Sequence, residues 1–371
     1  MPISPCRAAL LLLGAIHCSQ ALGAQADACA QHAAASKTMS PPHGEKARSA
    51  KGASSFSLRL DNDVFGDQDQ GYSNGIQLML ASSDLADIDT CRWPVTDWFA
   101  RRLRFLAPPG SDQQNLTFSL GQAIFTPSNR RWTEVIPDDR PYAAALLAGI
   151  GYNARVGERL QTTLVQVGIV GPSARGRQAQ DTIHKITGDD PFLGWDNQLG
   201  DEGVFRIVHE RLQRHRLGAA VPGPVGSWRR DAISHWGASF GNLLTNAGIG
   251  GELRWGPTLP DDFGSSPTRP AGERTIGRRG EGVAAFAAGL SGHGFVALDA
   301  RWVLWDISLD GNAFRDSHGV DKRNFVADLG YGIALTRGPW KLVIARFHRT
   351  REFRGQKDRP VFGSISVSRS F

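Results

Sequence analysis

GFVALDARWVLWD, residues 294–306, sets Val296, Leu298, Ala300, Trp302 and Leu304 two apart, with Asp299, Arg301 and Asp306 among the positions between or beyond them. Side chains of a β-strand alternate between its two faces, so this segment has one apolar face and one partly charged face. NFVADLGYGIAL repeats the pattern, setting Phe325, Ala327, Leu329, Tyr331, Ile333 and Leu335 against Asp328, Gly330 and Gly332. The closing stretch VFGSISVSRSF sets Val361, Ile365, Val367 and Phe371 against Ser364, Ser366, Ser368 and Ser370. Alternation in segments of about ten residues is the signature of a transmembrane β-barrel, whose apolar face meets lipid.

Twelve such segments are expected, at 55–65, 72–82, 115–125, 142–153, 160–171, 203–214, 231–243, 247–256, 294–306, 325–336, 339–350 and 361–371. The number is even, as single-chain bacterial barrels require. A secreted β-sandwich shares the alternation and is the soluble alternative. After the N-terminal region no segment approaches eighteen unbroken apolar residues, so helical spanning is excluded. The fold class is therefore all-β, an antiparallel transmembrane barrel with long extracellular loops.

The N-terminus reads as an export signal over residues 1–24: Arg7, an apolar run from Ala8 to Ile16, and the small-residue context Ala21-Leu22-Gly23-Ala24. Residues 25–54, rich in Ala, Ser, Lys and Gly, read as a disordered leader, leaving 55–371 as the barrel. Cleavage would leave Cys29 and Cys91, a pair compatible with one disulfide in an oxidising compartment. With 42 Lys and Arg against 36 Asp and Glu, both signs dispersed, the chain has no nucleic-acid arm, whereas anionic lipid headgroups suit it. WPVTDWFARRLRFL, after Cys91, reads as an amphipathic surface helix beneath the barrel.

With the N-terminus periplasmic, the links after odd-numbered segments face outwards. Three of these carry the chemistry. LDNDVFGDQDQGYSNGIQL, residues 60–78, crowds Asp61, Asn62, Asp63, Asp67, Asp69 and Asn74 into one hairpin. Turns use these residues in any case, yet together they also suit a hard cation. It is not an EF-hand, because counting from Asp61 puts Phe65 fifth and Tyr72 twelfth. FTPSNRRWTEVIPDDRPYA, residues 125–143, offers Arg130, Arg131, Asp138, Asp139 and Arg140, which can form ion pairs or receive phosphate. DTIHKITGDDPFLGWDNQLGDE, residues 181–202, offers His184, Lys185, Asp189, Asp190, Trp195, Asp196 and Asn197. A histidine that deprotonates water beside a cation that stabilises an oxyanion suffices for ester hydrolysis.

DNDVFGDQDQGYSNGI, TPSNRRW, DDRPYAA, IVGPSARG, DTIHKITG and GWDNQL, in that order across residues 55–371, make the chain resemble the outer-membrane lipid A 3′-O-deacylases, the LpxR-like family. The resemblance implies a twelve-stranded barrel whose extracellular-side site removes the 3′-linked acyloxyacyl group of lipid A with Ca²⁺ as cofactor. It implies lipid A or lipopolysaccharide in the outer leaflet as partner, and the bacterial outer membrane as location. By position the family's Asn-Asp pair falls on Asn62 and Asp63, with Asp63 on the metal. Its hydroxyl residue falls on Ser73, its general base on His184, and its acid on Asp190, one methylene shorter than the family's Glu. The family's lysine is matched by Arg130 or Arg131, which with Lys185 would bind substrate. Two other classes remain open: a barrel without catalysis, such as a channel or receptor, and a different calcium-dependent lipid esterase.

Overall fold

The structure is a computed structural model, and it describes residues 55–63, 71–85, 102, 104–188, 190–224, 227–265 and 289–371. The proposed export signal, the leader, both cysteines, the turn 64–70 and most of WPVTDWFARRLRFL lie outside these residues; of that segment Arg104–Leu106 forms a short 3-10 turn.

Twelve long strands close into one antiparallel barrel: β1 (Ser55–Asn62), β2 (Gly71–Ala81), β3 (Gln113–Thr126), β4 (Ala143–Val156), β5 (Arg159–Val170), β6 (Glu202–Arg216), β8 (Ser227–Phe240), β9 (Leu244–Gly256), β10 (Ser291–Asp306), β11 (Phe325–Arg337), β12 (Trp340–Arg349) and β13 (Val361–Ser370). A two-residue strand, β7 (Val221–Pro222), pairs only with β8. β1 pairs with β13 and β6 with β8, so no long strand is left with an unpaired edge. Each of the twelve matches one segment expected from the alternation.

The alternation also sets which face meets lipid. On β10, Val296, Leu298, Trp302 and Leu304 are exposed, while Phe295, Ala297 and Val303 between them are buried. The same parity puts Leu60, Ile76, Leu78, Leu120, Leu146, Val165 and Val167 on the outer wall. The lumen is polar, and each charge there needs a partner because burial without one is costly. Asp328 receives Arg301 at 3.0 Å and Arg349 at 2.7 Å, and His235 lies 2.6 Å from Asp299.

Residues 257–265, the described start of the connection after β9, fold into the barrel. Phe263 is fully buried on the inward side chains Leu160, Leu212 and Ile233. Asp261 takes Arg155 at 2.9 Å and also meets Arg214, while Asp262 meets Arg254 and takes Lys341 at 3.1 Å. Burial raises the cost of charging Asp262, but Lys341 and Arg254 outweigh it and hold this carboxyl well below the usual range. Residues 257–265 thus pack inside the lumen at the end opposite α1.

Candidate active site on the outer wall

The extracellular link between β5 and β6 is not a plain loop. Gly176–Thr187 forms an α-helix, α1, entered through Arg175 in the left-handed region at φ 60° and closed by Gly188, whose N–H donates to the His184 carbonyl at 2.8 Å. Gly176, Gln180 and His184 are all buried and lie four residues apart, so they form one stripe of the helix. The strand rhythm of the barrel gives no hint of this stripe, whereas the i, i+4 spacing of Gln180 and His184 does.

That stripe packs on the barrel wall from outside. Register aligns Asn62 with Asn74, Asn74 with Ile124, and Ile124 with Ala144, a row sharing the parity of lipid-facing Leu60, Ile76, Leu120 and Leu146. Ile124 and Ala144 are buried because α1 and the segment after it cover them, together with Tyr142, Ala174, Phe192 and Trp195. Gln122, one row nearer the membrane, donates to the Ala174 carbonyl at 2.6 Å and pins the start of the helix to the wall. The constellation lies on the outer face of the wall, at the upper edge of the lipid-facing band.

Helix and wall share one chain of hydrogen bonds. Asn62 Nδ2 donates to Asn74 Oδ1, Asn74 Nδ2 to Gln180 Oε1 at 2.6 Å, and Gln180 pairs with His184 Nε2 at 2.9 Å. His184 Nδ1 lies 2.7 Å from the Asp190 carbonyl oxygen. A carbonyl can only accept, so Nδ1 carries the proton; in the neutral ring Nε2 then holds a lone pair that accepts from the Gln180 amide. The second-sphere contact that fixes this tautomer comes from main chain. Phe192, with its ring 5.5 Å from the imidazole, closes the other side.

The residues expected at the site fare differently. Asn62 and His184 come together, with Asn74 and Gln180 between them; Gln180 escaped the sequence reading. Asp63 follows Asn62 directly and is buried. Ser73 is the extra residue at a register shift between Tyr72 and Asn74, a β-bulge of the kind that re-aims side chains next to active sites; its side chain lies outside what is described. Asp190 meets His184 through its carbonyl alone, and its carboxylate turns to Arg131 at 3.3 Å, both side chains well exposed. Arg130 gives its carbonyl to the Leu193 N–H at 2.9 Å, which ties its loop to the segment after α1. Lys185 is exposed on the helix. His184 itself is 5 % exposed and helical, not a solvated loop side chain. Asp61 turns away from this set, bonding Ser364 Oγ at 2.6 Å and Arg59 at 3.2 Å.

The donor set for a cation is partial. Among the described residues no three His, Cys, Asp or Glu side chains gather to hold a metal. A buried carboxylate at Asp63, beside an amide-rich row, is nonetheless the hard oxygen donor that Ca²⁺ uses.

Tyr142 and Trp195 brace α1 from beneath, their rings 5.0 Å apart, and burial pushes the Tyr142 hydroxyl up to about 12, which keeps it neutral. A Cβ on Gly176 would collide with Ala144 and sit 3.0 Å from the Trp195 ring. Gly176→Val is therefore expected to lift the helix and leave the barrel intact. A displacement of about 1 Å at a reacting group costs on the order of a hundredfold in rate. Wild-type turnover by this variant, with normal heat-modifiable migration on gels, would show that the helix position is not critical.

The family model described as "Outer membrane protein LpxR" matches residues 20–371 of this chain. Among solved structures, LpxR from Salmonella typhimurium is similar at 19 % identity and TM-score 0.66, over 85 % of this chain and all of that one. The KdgM porin aligns at 7 % identity and TM-score 0.34, over 85 % of this chain and 99 % of that one. The β domain of the Bordetella autotransporter BrkA aligns at 11 % and 0.38, over 86 % and 98 %. No curated protein matches.

Proposed function

Because the chain belongs to the LpxR family of outer membrane proteins, we propose that it is a lipid A deacylase, a carboxylic ester hydrolase that removes the 3′-linked acyloxyacyl group of lipid A or lipopolysaccharide in the outer leaflet. The observation that carries this reading is the His184 imidazole, buried between α1 and the lipid-facing wall with Nδ1 on the Asp190 carbonyl and Nε2 on the Gln180 amide. Directly below it, Leu60, Ile76, Leu78 and Leu120 form an exposed apolar track on which an acyl chain of a membrane lipid can lie while its ester reaches the histidine. A substrate would come sideways from the membrane and never enter the lumen.

In this reading a water displaces the Gln180 amide from His184 Nε2 and gives up a proton there as its oxygen attacks the ester carbonyl. The imidazolium that forms keeps its Nδ1–H on the Asp190 carbonyl, which favours the positive ring and stops it turning. The proton then passes to the departing sugar oxygen. Asn62 and Asn74 hold Gln180 in place. Asp63, as a ligand, would hold Ca²⁺, which when bound supplies charge for the developing oxyanion. Arg130 and Arg131 stand at the rim, suited to the phosphate of lipid A. Ser73, at the bulge, would orient the water or the ester.

Mass spectrometry of lipid A from cells with and without the assembled protein tests the reading directly. Loss of the mass of the 3′ acyloxyacyl group is expected, abolished by a calcium chelator and restored by Ca²⁺, with Asp63→Ala needing more Ca²⁺. Unchanged lipid A beside correctly inserted barrel would sink the assignment, and full activity in excess chelator would remove calcium from it.

A further inference from the structure

A cavity lies on the extracellular side, away from His184, between the β3–β4 and β12–β13 connections. It measures about 340 Å³, and Asn129, Trp132, Asp138, Gln356 and Lys357 line it. This is within the range of small-molecule sites, roughly 300–1,000 Å³. Its two walls are joined at the base by a buried ion pair, Arg140 to Glu352 at 2.9 Å, with Arg140 flanked by the Phe125 and Phe353 rings. Asp139 does not face an incoming ligand with free oxygens, since both receive main-chain or hydroxyl donors from Ser128 and Arg140. His318 donates to the Asp139 carbonyl at 2.7 Å. The cavity is therefore held open by its own scaffold and does not depend on a ligand for its shape.

What remains for a ligand is a distinctive set. Trp132 leaves 53 % of its surface exposed, so its indole face is open to a ligand. Asp138 and Lys357 are exposed and make no side-chain hydrogen bond or ion pair among the described residues. Gln356 spends its oxygen on the Glu352 N–H at 2.6 Å, leaving its amide N–H groups as donors, and Asn129 spends its oxygen on the Arg131 N–H at 3.1 Å. One carboxylate acceptor, one ammonium and two amide donors around a single indole face match a sugar ring. Such a ring shows C–H bonds on one face and hydroxyls at its edge, and carries acid or phosphate groups in anionic saccharides. Val135, Ile136 and Pro137 add apolar lining beside the indole, and the polar groups around it favour a ligand with hydroxyls over a bare acyl chain.

We propose that this cavity is a saccharide subsite, which binds the hydrophilic part of the glycolipid above the membrane while the ester lies at His184. The proposal rests on the deacylase reading and adds that the preferred substrate is lipopolysaccharide carrying its sugars, not bare lipid A. Arg131, between Asn129 and Trp132 in the same loop and paired with Asp190, links the cavity to the reacting end.

Two measurements on the full-length protein in detergent test it. The first compares Trp132→Ala and Asp138→Ala with wild type on intact lipopolysaccharide and on lipid A stripped of further sugars. A KM raised roughly five- to thirtyfold on the intact glycolipid, with kcat unchanged and lipid A kinetics unmoved, is the expected result. Equal effects on both substrates, or none on either, would overturn the subsite while leaving the deacylase standing. The second titrates the delipidated polysaccharide into His184→Asn protein by calorimetry. Heat of binding that Trp132→Ala removes supports the proposal even if neither substrate is deacylated, in which case it is the enzymatic reading that falls. No binding of the polysaccharide overturns it.

Discussion

His184→Asn is expected to assemble as a normal barrel and to lose deacylation of lipid A by about two to four orders of magnitude, the usual contribution of a positioned general base. The asparagine is chosen over alanine because the side chain is buried and packs on Phe192. It keeps a donor for the Asp190 carbonyl and fills much of the space, but offers no basic nitrogen. His184→Ala should lose as much activity and some stability as well. Only a neutral imidazole accepts a proton, so the wild-type rate should fall in acid, and this limb should be missing from whatever activity the asparagine variant retains. His235, paired with Asp299 in the lumen, and His348, on the Tyr331 ring, are remote from α1, and their replacement should leave turnover nearly unchanged. Parent-like turnover by correctly inserted His184→Asn would mean that the histidine is only a strut between helix and wall.

The largest stability effect is expected at Glu352. Its carboxylate receives Arg140 at 2.9 Å and Arg349 at 3.1 Å, and Arg349 continues to Asp328, so two extracellular loops and two strands meet on one buried chain of charge. Glu352→Gln would leave buried guanidinium charge without its counterion, and breaking such a pair costs about 3–5 kcal/mol. The expected readout is a lower unfolding midpoint together with new tryptic cleavage at Arg130 and Arg131, in the loop that Arg140 anchors. The pH dependence has a definite sign. Burial would raise the Glu352 carboxyl, but Arg140, Arg349 and Arg301 outweigh it and hold the group below its ordinary value. A group depressed on folding stabilises the protein above its unfolded pKa, about 4.3 for Glu, and that contribution fades as pH falls through the lower folded value. Acid should thus loosen these loops in the wild type and change little in Glu352→Gln. A variant matching the wild-type midpoint and protease resistance at neutral pH would show the pair to be energetically idle.

Much of this architecture follows from the order of residues alone. The period of two in GFVALDARWVLWD and its counterparts fixes twelve strands, because a strand between lipid and lumen must alternate and a one-residue slip would turn every charged side chain towards hydrocarbon. With the N-terminus periplasmic, the up-and-down order of the strands sets the side of each loop, and the clustering of Asn62, Asp63, His184 and Asp190 at the outer end follows from it. None of this places the site on the outside of the wall. That needs the cross-strand register, which sets Asn62, Asn74, Ile124 and Ala144 in one row although up to 82 positions separate them in sequence, and it needs α1 laid over that row. On the wall itself, a polar Asn62, Asn74 or Gln122 among outward apolar positions is a local trace of the cover above it, and it reads equally well as the end of a strand. Gln180 becomes part of the site only because the helix brings it between Asn74 and His184. Asp190 shows the same division from the other side: its place in the motif is legible in sequence, but only the fold decides that its main-chain oxygen holds the histidine while its carboxylate faces Arg131. Alternation records what each side chain faces, lipid or lumen, whereas a site is made by which distant side chains face each other, and that is settled by hydrogen-bond register and packing alone.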